Sequence, residues 1–142
     1  GKTGPFLRKM VKEFKLEQSV LFCPSTNKAV EILSLLDVFV MPSRQEGLGI
    51  SIMEAQAAGV PVIASRVGGI PSLIEEGRTG FLVEPEDPIA LGQTILRVLR
   101  DPGRLARVAS AGREFIRTNH SADLMVEKAL TLYKTTIPKA RS

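Results

Sequence analysis

Cysteine, histidine and aromatic residues are scarce in this sequence. Its 142 residues include one cysteine (Cys23), one histidine, one tyrosine and no tryptophan. One cysteine cannot form an internal disulfide, which excludes a small disulfide-stabilised scaffold and leads us to expect a reducing compartment such as the cytoplasm. There is also no Asp-x-Asp pair and no His or Cys cluster, so we predict no metal site and no cofactor.

Long hydrophobic runs are missing as well. The longest uninterrupted apolar runs, such as Val38–Met41, have four residues, against the roughly 18 of a membrane helix. Hydrophobic residues make up 44% and charged residues 24% of the chain, as in ordinary globular domains rather than disordered chains. The length predicts one domain. We assign residues 1–136 to it and residues 137–142 to a loose tail.

The excess positive charge is concentrated in one stretch. The net charge is +4, and six arginines with two acidic residues between positions 97 and 117 account for it. Such a strip can attract phosphates or the inner face of an anionic membrane, although arginines on exposed helix faces are also ordinary surface. Because no aromatic RNA-binding motif accompanies it, we expect no nucleic-acid partner. The arginines are Arg97, Arg100, Arg104, Arg107, Arg113 and Arg117.

Short apolar runs alternate with amphipathic segments up to residue 83. Leu7, Met10 and Phe14 recur at helical spacing, which predicts a first helix with one buried stripe. Uninterrupted apolar strands separated by helices are typical of parallel sheets covered on both faces. The sequence therefore predicts a doubly wound, Rossmann-like α/β fold. The predicted helices are Pro5–Lys15, one capped by Thr26 or Asn27, Ile50–Ala58 and Pro71–Glu76, and the predicted strands are Val20–Cys23, Val38–Met41, Val62–Ala64 and Phe81–Val83.

Three further helices are predicted to follow the last strand. They begin at Asp87, Asp101 and Ser121, residue types that accept hydrogen bonds from the free amides of a first helical turn. Proline follows both aspartates, and its fixed φ suits the first helical position. The complete fold prediction is thus a parallel α/β sheet followed by three C-terminal helices.

The loop Pro42–Gly49 joins a predicted buried strand to the helix that begins near Ile50. Ligands of parallel α/β sheets bind beyond the carboxyl ends of the strands, where this loop lies. Gly47 and Gly49 allow close approach of the backbone, and the unpaired amides of the first helical turn carry partial positive charge. The loop is therefore suited to an anion such as phosphate, with a tight turn that binds nothing as the alternative.

Two glutamates flank this junction. Glu46 precedes the glycines, and Glu54 lies in the following helix. Because carboxylates repel phosphate, both are better suited to accept hydrogen bonds from hydroxyl groups on either side of it. A phosphate flanked by hydroxyl-bearing rings describes a nucleotide sugar. Taken singly, Glu54 can be an exposed helix residue, and Glu46 a charge that stabilises a helix N-terminus by ~0.3–1 kcal/mol.

Residues 37–83 resemble the C-terminal, donor-binding lobe of glycosyltransferase family 4 (group 1), whose retaining enzymes have the two-lobe GT-B fold. The resemblance rests on the pattern Pro-Ser…Glu-Gly-x-Gly…Glu-Ala…Gly-x-Pro-Val. It implies that Glu46 is the catalytic residue, in contact with the hydroxyl groups of the donor sugar. It also implies that the amides around Gly47, Leu48 and Gly49 contact the diphosphate, and that Glu54 accepts a hydrogen bond from the ribose.

Five more residues enter the candidate site through the same resemblance. Phe22 and Cys23, at the end of a predicted strand, would lie near the base. Gly68 and Gly69 would belong to a flexible loop at the lip of the cleft. Ser43, in the loop that carries the glycines, counts among the substrate-binding residues. The resemblance implies no metal.

The resemblance also implies that parts are missing. In the family, the matched part follows a whole acceptor-binding lobe, a strand and a basic Arg and Lys pair. In the order of the family's sheet, two missing strands lie between those predicted at Val20–Cys23 and Val38–Met41. We therefore expect a donor-binding fragment that is incomplete at its N-terminus and inactive alone. Its expected partner within the enzyme is the missing N-terminal lobe.

The sequence thus predicts the donor-binding part of a retaining glycosyltransferase. The donor would be a nucleotide-diphosphate sugar, and the acceptor hydroxyl would belong to a glycan, a lipid or a small molecule. A non-catalytic nucleotide-sugar-binding module and a GT-B fold nucleotide-sugar epimerase are the alternatives. A dehydrogenase is disfavoured, because no third glycine follows Gly47 and Gly49 at the fingerprint spacing.

Overall fold

The structure, a computed structural model, describes residues 3–24 and 29–120. Helices and strands alternate from β1 to β3, and two longer helices follow. A single 3₁₀ turn, Ile70–Ser72, lies between β2 and β3. The elements are α1 (Gly4–Glu13), α2 (Ala29–Leu33), β1 (Phe39–Met41), α3 (Ile50–Ala57), β2 (Val62–Ser65), β3 (Phe81–Val83), α4 (Pro88–Leu99) and α5 (Pro102–Asn119).

The three strands form one parallel sheet in the order β1-β2-β3. Val40, Ile63 and Phe81 stand side by side in its register. Since the strands are parallel, all three carboxyl ends meet at one edge of the sheet, which we call the carboxyl edge. This confirms the parallel α/β prediction, and it brings the loops after β1, β2 and β3 together at that edge.

The core consists of two layers, one on each face of the sheet. Val62 and Ala64 pack on one side with Ile52 of α3, while Ile63 faces the other side with Val98 of α4 and Val108 of α5. Alternate residues of one strand therefore bury opposite faces, as period-two geometry requires. All four residues of β2 are buried, which explains why its first three residues are apolar without interruption, although its last, Ser65, is polar.

The predicted ends of several helices are confirmed. The Asp87 carboxylate accepts a hydrogen bond from the Ala90 amide at 2.8 Å, and the Asp101 carboxylate accepts one from the Arg104 amide at 2.9 Å. Such caps satisfy amides that the helix itself leaves unpaired, and each stabilises by ~1 kcal/mol. After α3, Gly59 has a φ of +78°, a conformation that glycine adopts without steric cost.

The predicted strand Val20–Cys23 is wrong. The structure has no strand there, and the Leu21 side chain is 85% exposed. The chain instead turns back on itself after α1, because the Leu16 amide donates to the Val11 carbonyl and the Val20 amide to the Leu16 carbonyl. No strand within the described residues pairs with this segment, so its apolar side chains have no sheet to bury them.

The buried stripe predicted for the first helix is also wrong, although the helix itself is confirmed. Leu7 is 46% and Phe14 65% exposed, and α1 has no buried residue. The apolar side chains of α1 line an open, wholly apolar groove with Val20 and Phe22. Within the described residues nothing covers this groove. The helical spacing is therefore real, but the expected packing partner is not among these residues.

The helix expected at Pro71–Glu76 is replaced by the 3₁₀ turn Ile70–Ser72. Glu76 instead pairs with Gly80 in a β-bridge. The third C-terminal helix, the tail at 137–142, the boundary at 136 and the caps at Thr26 or Asn27 lie outside the described residues. Among the helices that the structure describes, none combines the length and the apolar character needed to cross a bilayer.

Candidate functional site

Gly49 is the N-cap of α3, in the loop after β1. It has a φ of +60°, and a Cβ atom there would lie 2.9 Å from Cδ1 of Leu73. The left-handed conformation favours glycine, and a side chain there would also displace the end of the Leu73 side chain. Gly47 differs, because a Cβ atom on it would meet nothing within 4 Å. The Leu48 side chain is 65% exposed, whereas Gly49 itself is buried.

The Glu46 carboxylate lies at the N-terminus of α3. Its Oε1 accepts a hydrogen bond from the Gly49 amide at 3.3 Å, and the residue is half-buried. Negative charge is stabilised at this end of a helix. The position therefore fits the alternative role predicted for Glu46, that of a charge that stabilises a helix N-terminus. The contact is longer than the ~2.9–3.0 Å of a typical N–H···O bond. The Gly49 amide is therefore only weakly satisfied by this carboxylate.

The loop after β2 packs directly on the loop that carries Glu46. The Gly69 amide donates to the backbone carbonyl of Glu46 at 3.3 Å. A Cβ atom would lie 1.8 Å from the Glu46 carbonyl oxygen if added to Gly68, and 2.4 Å from the Gly47 carbonyl oxygen if added to Gly69. Both distances are sterically forbidden, so these two glycines are what lets the loops touch. The structure thus brings Glu46, Gly47, Gly68 and Gly69 together.

Glu54 lies on the solvent-facing side of α3. It follows Ile50 by one helical turn, and Ile50 is 57% exposed, whereas Ile52 on the other side is fully buried. Glu54 itself is half-buried. Its neighbours Ile52 and Ala55 are buried in the core, so these two side chains do not enclose its carboxylate. Its carboxylate has no side-chain partner among residues 3–24 and 29–120, and a carboxylate on this face can accept a hydrogen bond from a ligand hydroxyl.

The remaining predicted residues are less closely grouped. Ser43 is half-buried in the loop after β1. Phe22 lies against α1, and the Arg8 guanidinium is 4.3 Å from the centre of its ring. Cys23 is an exposed free thiol. No strand of the described residues carries Phe22 and Cys23 to the carboxyl edge, so the structure does not join them to Glu46.

Two ion pairs at the carboxyl edge were missed by sequence reasoning. Arg44 lies 2.8 Å from the Glu86 carboxylate, and Arg66 lies 3.1 Å from Glu84. Arg44 and Glu84, with other residues at the strand ends, line a cavity of about 300 Å³. Glu46 and Glu54 do not line it. Glu86 has a φ of +61°. The sequence does not indicate this left-handed conformation, because the residue is not glycine.

A family model described as "Glycosyl transferases group 1" matches residues 1–115. Among curated proteins, N-acetyl-alpha-D-glucosaminyl L-malate synthase of Bacillus anthracis is 32% identical over 124 residues, covering 87% of this chain and 32% of the relative. The chain therefore spans about a third of the length of that relative.

Solved structures agree with this match. The Anabaena protein HepE in complex with UDP-glucose aligns with a TM-score of 0.86 and 26% identity, covering 92% of this chain and 36% of that protein. The C-terminal domain of a glycosyl transferase group 1 family protein, LpcC, from Francisella tularensis aligns with a TM-score of 0.75 and 25% identity. The alignment covers 85% of this chain and 65% of that domain. The described fold is thus that of glycosyltransferases with the GT-B architecture.

Proposed function

The chain belongs to the group 1 glycosyl transferases, and from this premise we propose that it is the donor-binding part of a retaining enzyme that transfers a sugar from a nucleotide-diphosphate sugar to an acceptor hydroxyl. The observation that carries the proposal is the junction of β1 and α3. There a helix N-terminus, two glycine-bearing loops and the Glu46 carboxylate meet at the carboxyl edge of a parallel sheet, where such folds bind their ligands.

The weak hydrogen bond between Glu46 and Gly49 supports the assignment of roles. At 3.3 Å it holds the carboxylate loosely, and a diphosphate oxygen carries charge that competes for the same amide. When diphosphate takes this amide, the Glu46 carboxylate is released and accepts hydrogen bonds from the neutral hydroxyl groups of the sugar. Glu54, one helical turn beyond Ile50, then accepts from the ribose.

Catalysis in this proposal comes from the charge that develops on the leaving group. As the bond from the anomeric carbon to the diphosphate oxygen breaks, negative charge grows on the diphosphate. Amides already aimed at that oxygen stabilise the transition state more than the ground state. Glu46 holds the sugar so that the acceptor oxygen bonds to the anomeric carbon as the bond to the diphosphate breaks, and the proton of the acceptor hydroxyl passes to the departing diphosphate. Backbone amides therefore stabilise the leaving group, and the proposal requires no metal ion or cofactor.

Acceptor binding is assigned to the rest of the enzyme. The curated relative is about three times as long as the part that this chain covers, which leaves room for an acceptor lobe. β1 is half-buried at the edge of the sheet, and the apolar groove of α1 is uncovered within the described residues. Both surfaces are suited to pack against further strands and helices of the longer protein. The cytoplasmic location stays a prediction.

The experiment is a transfer assay with the longer protein that contains this chain. We expect it to release nucleoside diphosphate from a panel including UDP-glucose, in the presence of acceptor alcohols, and NMR of the product to show the anomeric configuration of the donor. An inverted product would contradict retention. A protein that binds the donor without turnover would instead be a binding module, and appearance of an epimeric donor would identify an epimerase.

A further inference from the structure

A second polar cavity lies between α5 and the loop that precedes β3. Its volume is about 330 Å³, and it is lined by Gly77, Arg78, Arg104, Arg107, Val108 and Ala111. Because Gly77 comes before a strand of a parallel sheet, the cavity lies at the amino edge, opposite the edge that holds Glu46. It is therefore separate from the proposed donor site, and the inference below does not depend on that proposal.

The lining of this cavity carries positive charge that the described residues do not neutralise. Arg78 forms an ion pair with Glu75. Arg104 and Arg107 have no carboxylate partner among the described residues. The neighbouring acidic residues are engaged with other groups: Glu76 accepts from the Leu82 amide, Asp101 caps α5 and Glu114 pairs with Arg117. The cavity thus presents two guanidinium groups that form no ion pair within the described part of the chain.

Arg104 is held in place before any ligand arrives. Its guanidinium carbon lies 5.3 Å from the centre of the Phe81 ring, and Phe81 is fully buried. A cation over an aromatic face gains ~0.5–2 kcal/mol, and Arg104 itself is half-buried. Gly77 leaves it room, because a Cβ atom there would lie 3.3 Å from Nη2 of Arg104. Arg107, three residues along the same helix, lies on the same face.

We propose that this cavity binds the phosphate group of an anionic ligand, with Arg104 as the preorganised donor and Arg107 as the second. A terminal phosphate carries about 1.5–2 negative charges at neutral pH and a phosphodiester carries one, and the planar guanidinium fork donates two parallel hydrogen bonds to either. The phosphate can belong to a soluble molecule or to the headgroup of an anionic lipid. Both sources offer anionic phosphate oxygens to Arg104 and Arg107.

Binding is tested on the full chain with two kinds of probe. The soluble probes are inorganic phosphate and pyrophosphate, titrated by calorimetry and by NMR of the arginine Nε–H signals. The membrane probes are vesicles of phosphatidylcholine alone and of phosphatidylcholine mixed with phosphatidylglycerol. Arg104→Gln and Arg107→Gln should each weaken binding about tenfold or more, since each removes charge-assisted hydrogen bonds. The matched control is Arg97→Gln with Arg100→Gln, two exposed arginines outside the cavity.

Each outcome has a defined meaning. Binding of soluble phosphate that depends on Arg104 and Arg107 but not on the control supports the proposal with a soluble ligand. The same dependence seen only with phosphatidylglycerol vesicles supports it with a lipid ligand. No binding by any probe, or equal weakening by the control, would overturn it. Thermal unfolding checks each variant, and Arg107→Gln, at an exposed position, decides the case if Arg104→Gln fails to fold.

Discussion

The backbone carbonyl oxygen of Glu46 lies against Gly68 so closely that a Cβ atom on residue 68 would stand 1.8 Å from it. The amide of the next residue, Gly69, donates a hydrogen bond to that same oxygen. The loops after β1 and β2 are thereby joined into one surface through their backbones. The position of the proposed catalytic residue Glu46 therefore depends on Gly68 in the neighbouring loop as well as on the glycines of its own loop.

Gly68→Ala should therefore separate the two loops. The methyl group cannot be accommodated at 1.8 Å, and the φ of +51° is strained for alanine, so we expect the free energy of unfolding to fall by about 1–3 kcal/mol. Gly47→Ala is the matched control, because a Cβ atom there meets nothing within 4 Å and the change should stay within about 0.5 kcal/mol. Urea denaturation measures both. Equal losses for the two variants would contradict the contact.

Glu46→Ala should lower the turnover of the longer enzyme by roughly 10²–10³ while costing the fold little. The turnover effect is that of losing one preorganised transition-state contact. The stability effect is that of losing a charge at a helix N-terminus, about 0.3–1 kcal/mol. Steady-state kinetics and thermal unfolding separate the two. A turnover loss below threefold would leave Glu46 with its capping role alone.

Glu54→Ala should raise the KM for the nucleotide-sugar donor and leave kcat within about threefold, because a ribose contact changes little between ground state and transition state. The control is Glu114→Ala, which removes a carboxylate of α5 that pairs with Arg117 and has no role in the proposal. Kinetics at varied donor concentration make the measurement. A fall in kcat comparable to that of Glu46→Ala would refute the assignment to ribose.

How far the sequence predicts this molecule depends on whether the deciding interactions are local. The fully buried β2 and the cap at Asp87 were predictable because apolar runs and capping residues act within a few positions. The exposure of Leu21 was not predictable, because no local pattern reveals whether a partner strand is present to bury it. Within the site, the sequence indicated the turn at Gly49, whose geometry is local. The contact between Gly68 and Glu46 arises only when two parallel strands align their following loops.

Gln56 shows the same limit inside the core, and it yields a final prediction. Its side chain is 1% exposed, and Nε2 donates to the carbonyl oxygens of Leu73 at 3.2 Å and Thr79 at 3.0 Å, while its own buried Oε1 finds no partner in the described part of the chain. Gln56→Ala would leave both carbonyls without their donor and open a cavity. Unpaired buried groups cost about 1–3 kcal/mol each.

Gln56→Ala also removes the unpaired Oε1, which offsets part of this cost. The free energy of unfolding should therefore fall by about 2–3 kcal/mol. Ser51→Ala, at an exposed position of the same helix, should change it by less than about 0.5 kcal/mol. Urea denaturation of both variants makes the comparison. Similar stability for the two would mean that the carbonyls of Leu73 and Thr79 find other donors, and that Gln56 does not tie α3 to the segment before β3.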